Sequence, residues 1–123
     1  MPFILIIILT MFMNGSDNNA VNSDVLEARI ETRMVGNILQ VKNVFENNSS
    51  QQVSLRYKFR CARKSASGTA VSSQSGGIKA APGEKVSLSQ TSMSVNASDT
   101  YTLSLEIYEG DQQVAHDTVI YPE

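Results

Sequence analysis

The chain contains one histidine, His116, and one cysteine, Cys61, the natural starting points for nucleophilic or metal chemistry. A Ser-His-Asp site would have to be built on His116. Asp117 beside it points to the opposite face of a strand, and the sequence places no second acid or nucleophile there. Cys61 has no partner for an intramolecular disulfide and no second Cys in a C-x-C or C-x-x-C pair. It falls on the apolar face of its strand, where a free thiol packs as a small hydrophobe. No H-x-x-H, paired Cys or carboxylate cluster has metal-ligand spacing. "SQSGG" (73–77) lacks the Lys and the strand-to-helix setting of a phosphate loop. The expectation is a protein that is not an enzyme and uses no metal, cofactor or small-molecule substrate.

What remains is charge. "VSLRYKFRCARK" (53–64) holds five of the ten basic residues. Read in alternation, Val53, Leu55, Tyr57, Phe59 and Cys61 point one way, and Ser54, Arg56, Lys58 and Arg60 the other. A row of three cations on the open side of a strand suits an acidic partner, a solvated face, or ion pairs within the sheet. The sign of charge is also segregated along the chain. From Asn47 to Gly83 there are six bases (Arg56, Lys58, Arg60, Arg63, Lys64, Lys79) and no acid. Beyond Lys85 come Asp99, Glu106, Glu109, Asp111, Asp117 and Glu123, with no base among them.

These residues must be positioned by strands, since no segment sustains a helical period. "LEARIETRM" alternates, with Leu26, Ala28, Ile30, Thr32 and Met34 on one face, and Gly36-Asn37 turns into "ILQVKNVFE". There Leu39, Val41 and Phe45 share a phase that Val44 breaks, which predicts a bulge. The Ser/Gly-rich run 64–85 predicts one short strand, Ala70 to Gln74, before Gly76-Gly77, and then a Pro82-Gly83 turn. "KVSLSQ" follows, then "TYTLSLEIYE" with Tyr101, Leu103, Leu105 and Ile107 inward. Gly110-Asp111 turns into "QQVAHDTVIYP". The triplets that begin at Asn47, Asn48 and Asn96 read as exposed loops.

About seven short strands predict an all-β, Ig-like sandwich of antiparallel strands, with Asp99-Thr100-Tyr101 placed like a tyrosine corner. In such a sandwich the third strand pairs with the sixth, and the seventh lies beyond. Arg56, Lys58 and Arg60 would then sit opposite Glu106 and near Asp117. The outer face of the sixth strand reads Thr102, Ser104, Glu106, Tyr108. One acid cannot neutralise three bases, so part of the row is expected to stay open.

At 123 residues, 41% hydrophobic and 18% charged, the chain is long enough for one core. A net charge of −2 gives no reason to expect nucleic acid as a partner. "PFILIIILTMFM" followed by "NGSDNNAVNSD" has the length of a secretory apolar region and is short of a bilayer span. Residues 1–20 are therefore read as a signal peptide, ahead of a domain over 24–123. A short anchor or a buried strand is the alternative use of that segment.

The stretch from "YKFRCARK" through "SSQSGG" and "APGEKVSLSQTSMSV" to "YTLSLEIYEGD", with "EARIETR" in the first strand, resembles the curli-assembly CsgC/CsgH family. It is closer to the CsgH branch. The resemblance implies a small periplasmic protein with an Ig-like sandwich that keeps curli amyloid subunits from polymerising. The C-x-C motif of the CsgC branch is absent, since Cys61 is followed by Ala62 and Arg63. In this reading the protein is a monomer, its partners are curlin-type amyloid subunits, and Arg56, Lys58 and Arg60 bind the client. Strand addition at a sheet edge, at Ala70 to Gln74, is the other mechanism the sequence allows. A structural or adhesion Ig-like module of an extracellular assembly is the alternative function.

Overall fold

The computed structural model describes residues 25–122, so the expected signal peptide lies outside the described residues. Seven antiparallel strands follow one another: β1 (Leu26–Val35), β2 (Ile38–Asn47), β3 (Val53–Ser65), β4 (Gly68–Ala80), β5 (Lys85–Ser94), β6 (Thr100–Glu109) and β7 (Gln112–Tyr121). They form a three-stranded sheet, β1-β2-β5, and a four-stranded sheet, β4-β3-β6-β7. The β-sandwich is as the alternation predicted. β3 lies beside β6, with β7 beyond it.

The clean alternation in β3 and β6 explains where the core sits. Leu55, Phe59 and Cys61 of β3 and Tyr101, Leu103, Leu105 and Ile107 of β6 are buried, and they meet Ile30, Leu39, Val41 and Phe45 of the other sheet. Each such side chain contributes about 1.5–3 kcal/mol by leaving water. The corner forms as expected: the Tyr101 hydroxyl accepts the Asn96 N–H at 3.1 Å and donates to the Ser94 carbonyl at 3.5 Å. That closes the β5–β6 connection.

Three expectations are corrected. Thr32 and Met34 were placed inward with Leu26, Ala28 and Ile30, but burial in β1 stops at Ile30 and both are exposed. The irregularity inferred from Val44 lies on the neighbouring strand. Asn43 faces Ser89 and Val44 faces Ser87, which leaves Leu88 of β5 as the extra residue. Val44 does point away from the core. It is 1% exposed and lies opposite Arg29, whose guanidinium is held by Glu27 and Glu31 at 3.2 and 3.1 Å. The long Arg stem is the kind of group that covers an apolar neighbour while its charged head stays wet.

The third correction concerns β4, which runs for 13 residues straight through Gly76-Gly77. It is paired along its whole length with β3. Gly76 stands opposite Tyr57, and a Cβ there would lie 2.9 Å from the Tyr57 ring. The glycine is a packing residue in a strand, where the aromatic ring covers the missing side chain. Gly76→Val is therefore expected to lower unfolding free energy by about 1–3 kcal/mol through overpacking, measured by urea denaturation. A neutral result would mean that the Tyr57 ring is free to move aside. Gly83 is the turn glycine: its φ is 79°, and the Glu84 N–H closes the turn on the Ala81 carbonyl at 3.0 Å.

Candidate functional surface

On β3 the parity of the pleat turns Arg56, Lys58 and Arg60 away from the core, and all three are exposed. On one side they face Gly77, Ser75 and Ser73 of β4. On the other they face Tyr108, Glu106 and Ser104 of β6. Lys64 of β3 and Lys79 of β4, which pairs with Ser54, share this face. Five bases thus occupy one sheet surface, and Glu106 is the single acid among its outward positions.

The register brings Lys58 opposite Glu106 as expected, but the acids do not close over the row. The Tyr108 hydroxyl donates to Glu106 at 2.8 Å, and Glu106 and burial together push the phenol above its ordinary pKa range. Arg56 lies over the Tyr108 ring at 5.8 Å and donates to the Gly110 carbonyl at 3.1 Å. Such contacts hold a guanidinium in place without cancelling its charge. Among the described residues, none of Arg56, Lys58 and Arg60 forms an ion pair.

Asp117 was expected near the row and is elsewhere. It pairs with the inward-facing Leu105, and its carboxylate accepts the Ile30 N–H of β1 at 2.8 Å. It joins the rims of the two sheets. His116 is the residue that comes opposite Glu106, on the outer face and exposed. Arg63 also leaves the basic block, since its parity puts it on the other side of β3, where it pairs with the buried Asp99 at 3.5 Å. Cys61 is buried and 3.9 Å from the Met93 sulfur, and burial pushes its thiol pKa up. A raised pKa and poor access both oppose thiolate chemistry.

Sequence reasoning had not placed Lys64 and Lys79 in the candidate site. Lys64 was readable from parity alone. Lys79 was not, because a Ser/Gly-rich strand shows no phase. The outer face of the three-stranded sheet differs in kind. Its open depression of about 500 Å³ is lined by Glu31, Arg33, Gln40, Lys42, Gln90 and Ser92, with both signs mixed.

No protein-family model matches the chain, and no curated protein matches it. Solved structures do. The E. coli curli protein CsgC superposes with a TM-score of 0.61 over 80% of this chain and 99% of its own, at 14% identity. The chain has the CsgC/CsgH fold. CsgH of R. palustris gives a TM-score of 0.54 at 16% identity, covering 74% of this chain and 89% of CsgH. A Bacteroides uniformis β-glucuronidase also matches, with a TM-score of 0.58 at 12% identity, but over only 14% of the enzyme's length. The likeness to CsgC and CsgH spans nearly all of those small proteins, whereas the enzyme shares one piece of its chain.

Proposed function

We propose that the protein is a periplasmic, chaperone-like inhibitor of curli amyloid subunit polymerisation, exported by the segment 1–20. It meets unpolymerised subunits as a monomer through Arg56, Lys58 and Arg60. The observation that carries this reading is a basic row left without ion pairs among the described residues, on a sandwich with the CsgC/CsgH fold. A rigid sheet face with five bases and one acid attracts a disordered acidic chain from a distance and orients it on arrival. No covalent step, nucleotide or metal is needed. Contact through exposed cations is weak, so the client is detained rather than stored.

The test is fibrillation of a purified curlin subunit, followed by thioflavin-T with this protein added well below equimolar. A long delay is expected at low ionic strength, shrinking as salt shortens the screening length from about 30 Å at 0.01 M to about 8 Å at 0.15 M. Absence of any delay at low salt would overturn the reading. A delay indifferent to salt would remove the charged face from it.

A further inference from the structure

We propose that the open edge of β4 is a strand-addition site for an extended acidic peptide segment, whose side chains then lie beside the Arg56, Lys58 and Arg60 row. The sandwich has four edge strands, β1, β5, β4 and β7. Exposed edges attract unwanted pairing and are ordinarily guarded by charge, proline or bulges. β1 carries Glu27, Arg29, Glu31 and Arg33 in alternation, and its Ile30 N–H is already taken by Asp117. β5 has its bulge at Leu88 and Lys85 at its start. β7 leaves Val114 unpaired in its ladder with β6, and Pro122 follows its last residue.

β4 has one such guard, Lys79 next to its last residue, and none along the rest of the strand. From Gly68 to Ile78 it contains no charge and no proline, and its register with β3 is unbroken. Gly68 to Ser75 are exposed on both faces of the strand. Every second residue of such a strand turns its N–H and C=O away from the paired neighbour, and no strand lies beyond β4 in its sheet. The Gln74 side chain donates to the Thr91 hydroxyl of β5 at 3.4 Å, which leaves the β4 backbone groups free of that bond.

Charge selects the occupant. Ser73, Ser75 and Gly77, which separate the basic row from the edge, are short. A strand added to β4 would lie about 10 Å from β3, two strand spacings away. Arg and Lys carry their charge on long flexible stems, so they can lean across these short residues toward carboxylates on an added strand. Val71, half exposed on the same face, offers it an apolar cross-strand neighbour. A second copy of this chain is disfavoured, because a second β4 brings no acid to meet the row and puts another basic row on the same sheet surface, about 14 Å away.

The inference rests on the proposed function for the client's identity, but the edge is tested without any curlin subunit. The probe is a synthetic capped peptide of about ten residues alternating Thr and Glu, titrated into the full protein at low salt. Amide exchange by NMR reads the backbone. The expected result is slowed exchange confined to β4 amides, with binding weakened about tenfold when one central Thr of the peptide is replaced by Pro. Ser73→Pro in the protein should weaken binding similarly. The peptide variant keeps the test decisive should Ser73→Pro misfold. Equal binding of the proline peptide, or shifts confined to β3 side chains with no β4 protection, would overturn edge pairing and leave the charged-face reading standing. Failure of the peptide to bind would also overturn it, whatever the fibrillation assay shows.

Discussion

Asn47→Ala is expected to lower the melting temperature by about 15 °C, equivalent to about 3 kcal/mol for a domain of this size. Asn47 is fully buried at the end of β2. Its side-chain N–H groups donate to the carbonyls of Gln51, Ala80 and Ala81 at 2.8, 3.1 and 3.2 Å. Its carbonyl oxygen accepts the Ser49 N–H at 3.0 Å and the Ser49 hydroxyl at 2.6 Å. One side chain therefore satisfies the loop after β2, the end of β4 and the Pro82-Gly83 turn. Its own backbone adds bonds to Glu84 and Gly83 at 2.9 and 2.7 Å. Truncation takes this donor from the buried Ala80 carbonyl and the partners from the part-buried Gln51, Ala81 and Ser49 groups. A group left unsatisfied inside the fold costs more than the lost bond alone. Circular-dichroism melts measure it. A shift of only a few degrees would mean that water enters and takes over the Asn47 bonds.

The second large effect is on encounter with the proposed client. Reversing Arg56, Lys58 and Arg60 to Glu takes the net charge from −2 to about −8, all of it on one sheet face. Association with a curlin subunit is expected to slow by about tenfold or more at low salt, read by stopped-flow fluorescence. Stability should change little, because the three cations hold no ion pair among the described residues. The losses are the Arg56 contacts to Gly110 and Tyr108. Lys58→Glu also sets a carboxylate opposite Glu106, a cost of roughly 0.2–1 kcal/mol. A variant with an unchanged melting temperature and an unchanged association rate would show that the row is only a solvated surface.

How far the sequence could be read differs by strand, for physical reasons. β3 and β6 each bury one face and solvate the other, so period-two alternation exposed both the core and the basic row. Tyr101 was legible because a corner needs a hydroxyl at a fixed place after a loop. β4 was legible only over Ala70 to Gln74, since Ser and Gly carry no strand preference and the rest of the strand exists through its pairing with β3. The sequence ends that strand before Gly76-Gly77, whereas β4 runs through both glycines, with the Tyr57 ring against Gly76. The buried Asn43 and Asn47 were hidden for the opposite reason. A polar residue in a strand reads as outward, and Asn47 sits inside a triplet that normally marks an exposed loop. Alternation puts His116 and Asp117 on opposite faces, but the irregularity at Val114 hides which of them faces outward: His116 reaches the outer face and Asp117 turns to β1.

The central claim is that activity resides in this basic face and not in net charge. It is tested most directly by thioflavin-T fibrillation of a curlin subunit with three proteins side by side. These are the wild type, the Arg56→Glu/Lys58→Glu/Arg60→Glu variant, and a charge-matched variant with Arg33→Glu, Lys42→Glu and Lys85→Glu on the other sheet. The account predicts a long delay with the wild type and the charge-matched control, and little or none with the β3 variant. Equal delay from all three, or equal loss in both variants, would contradict it.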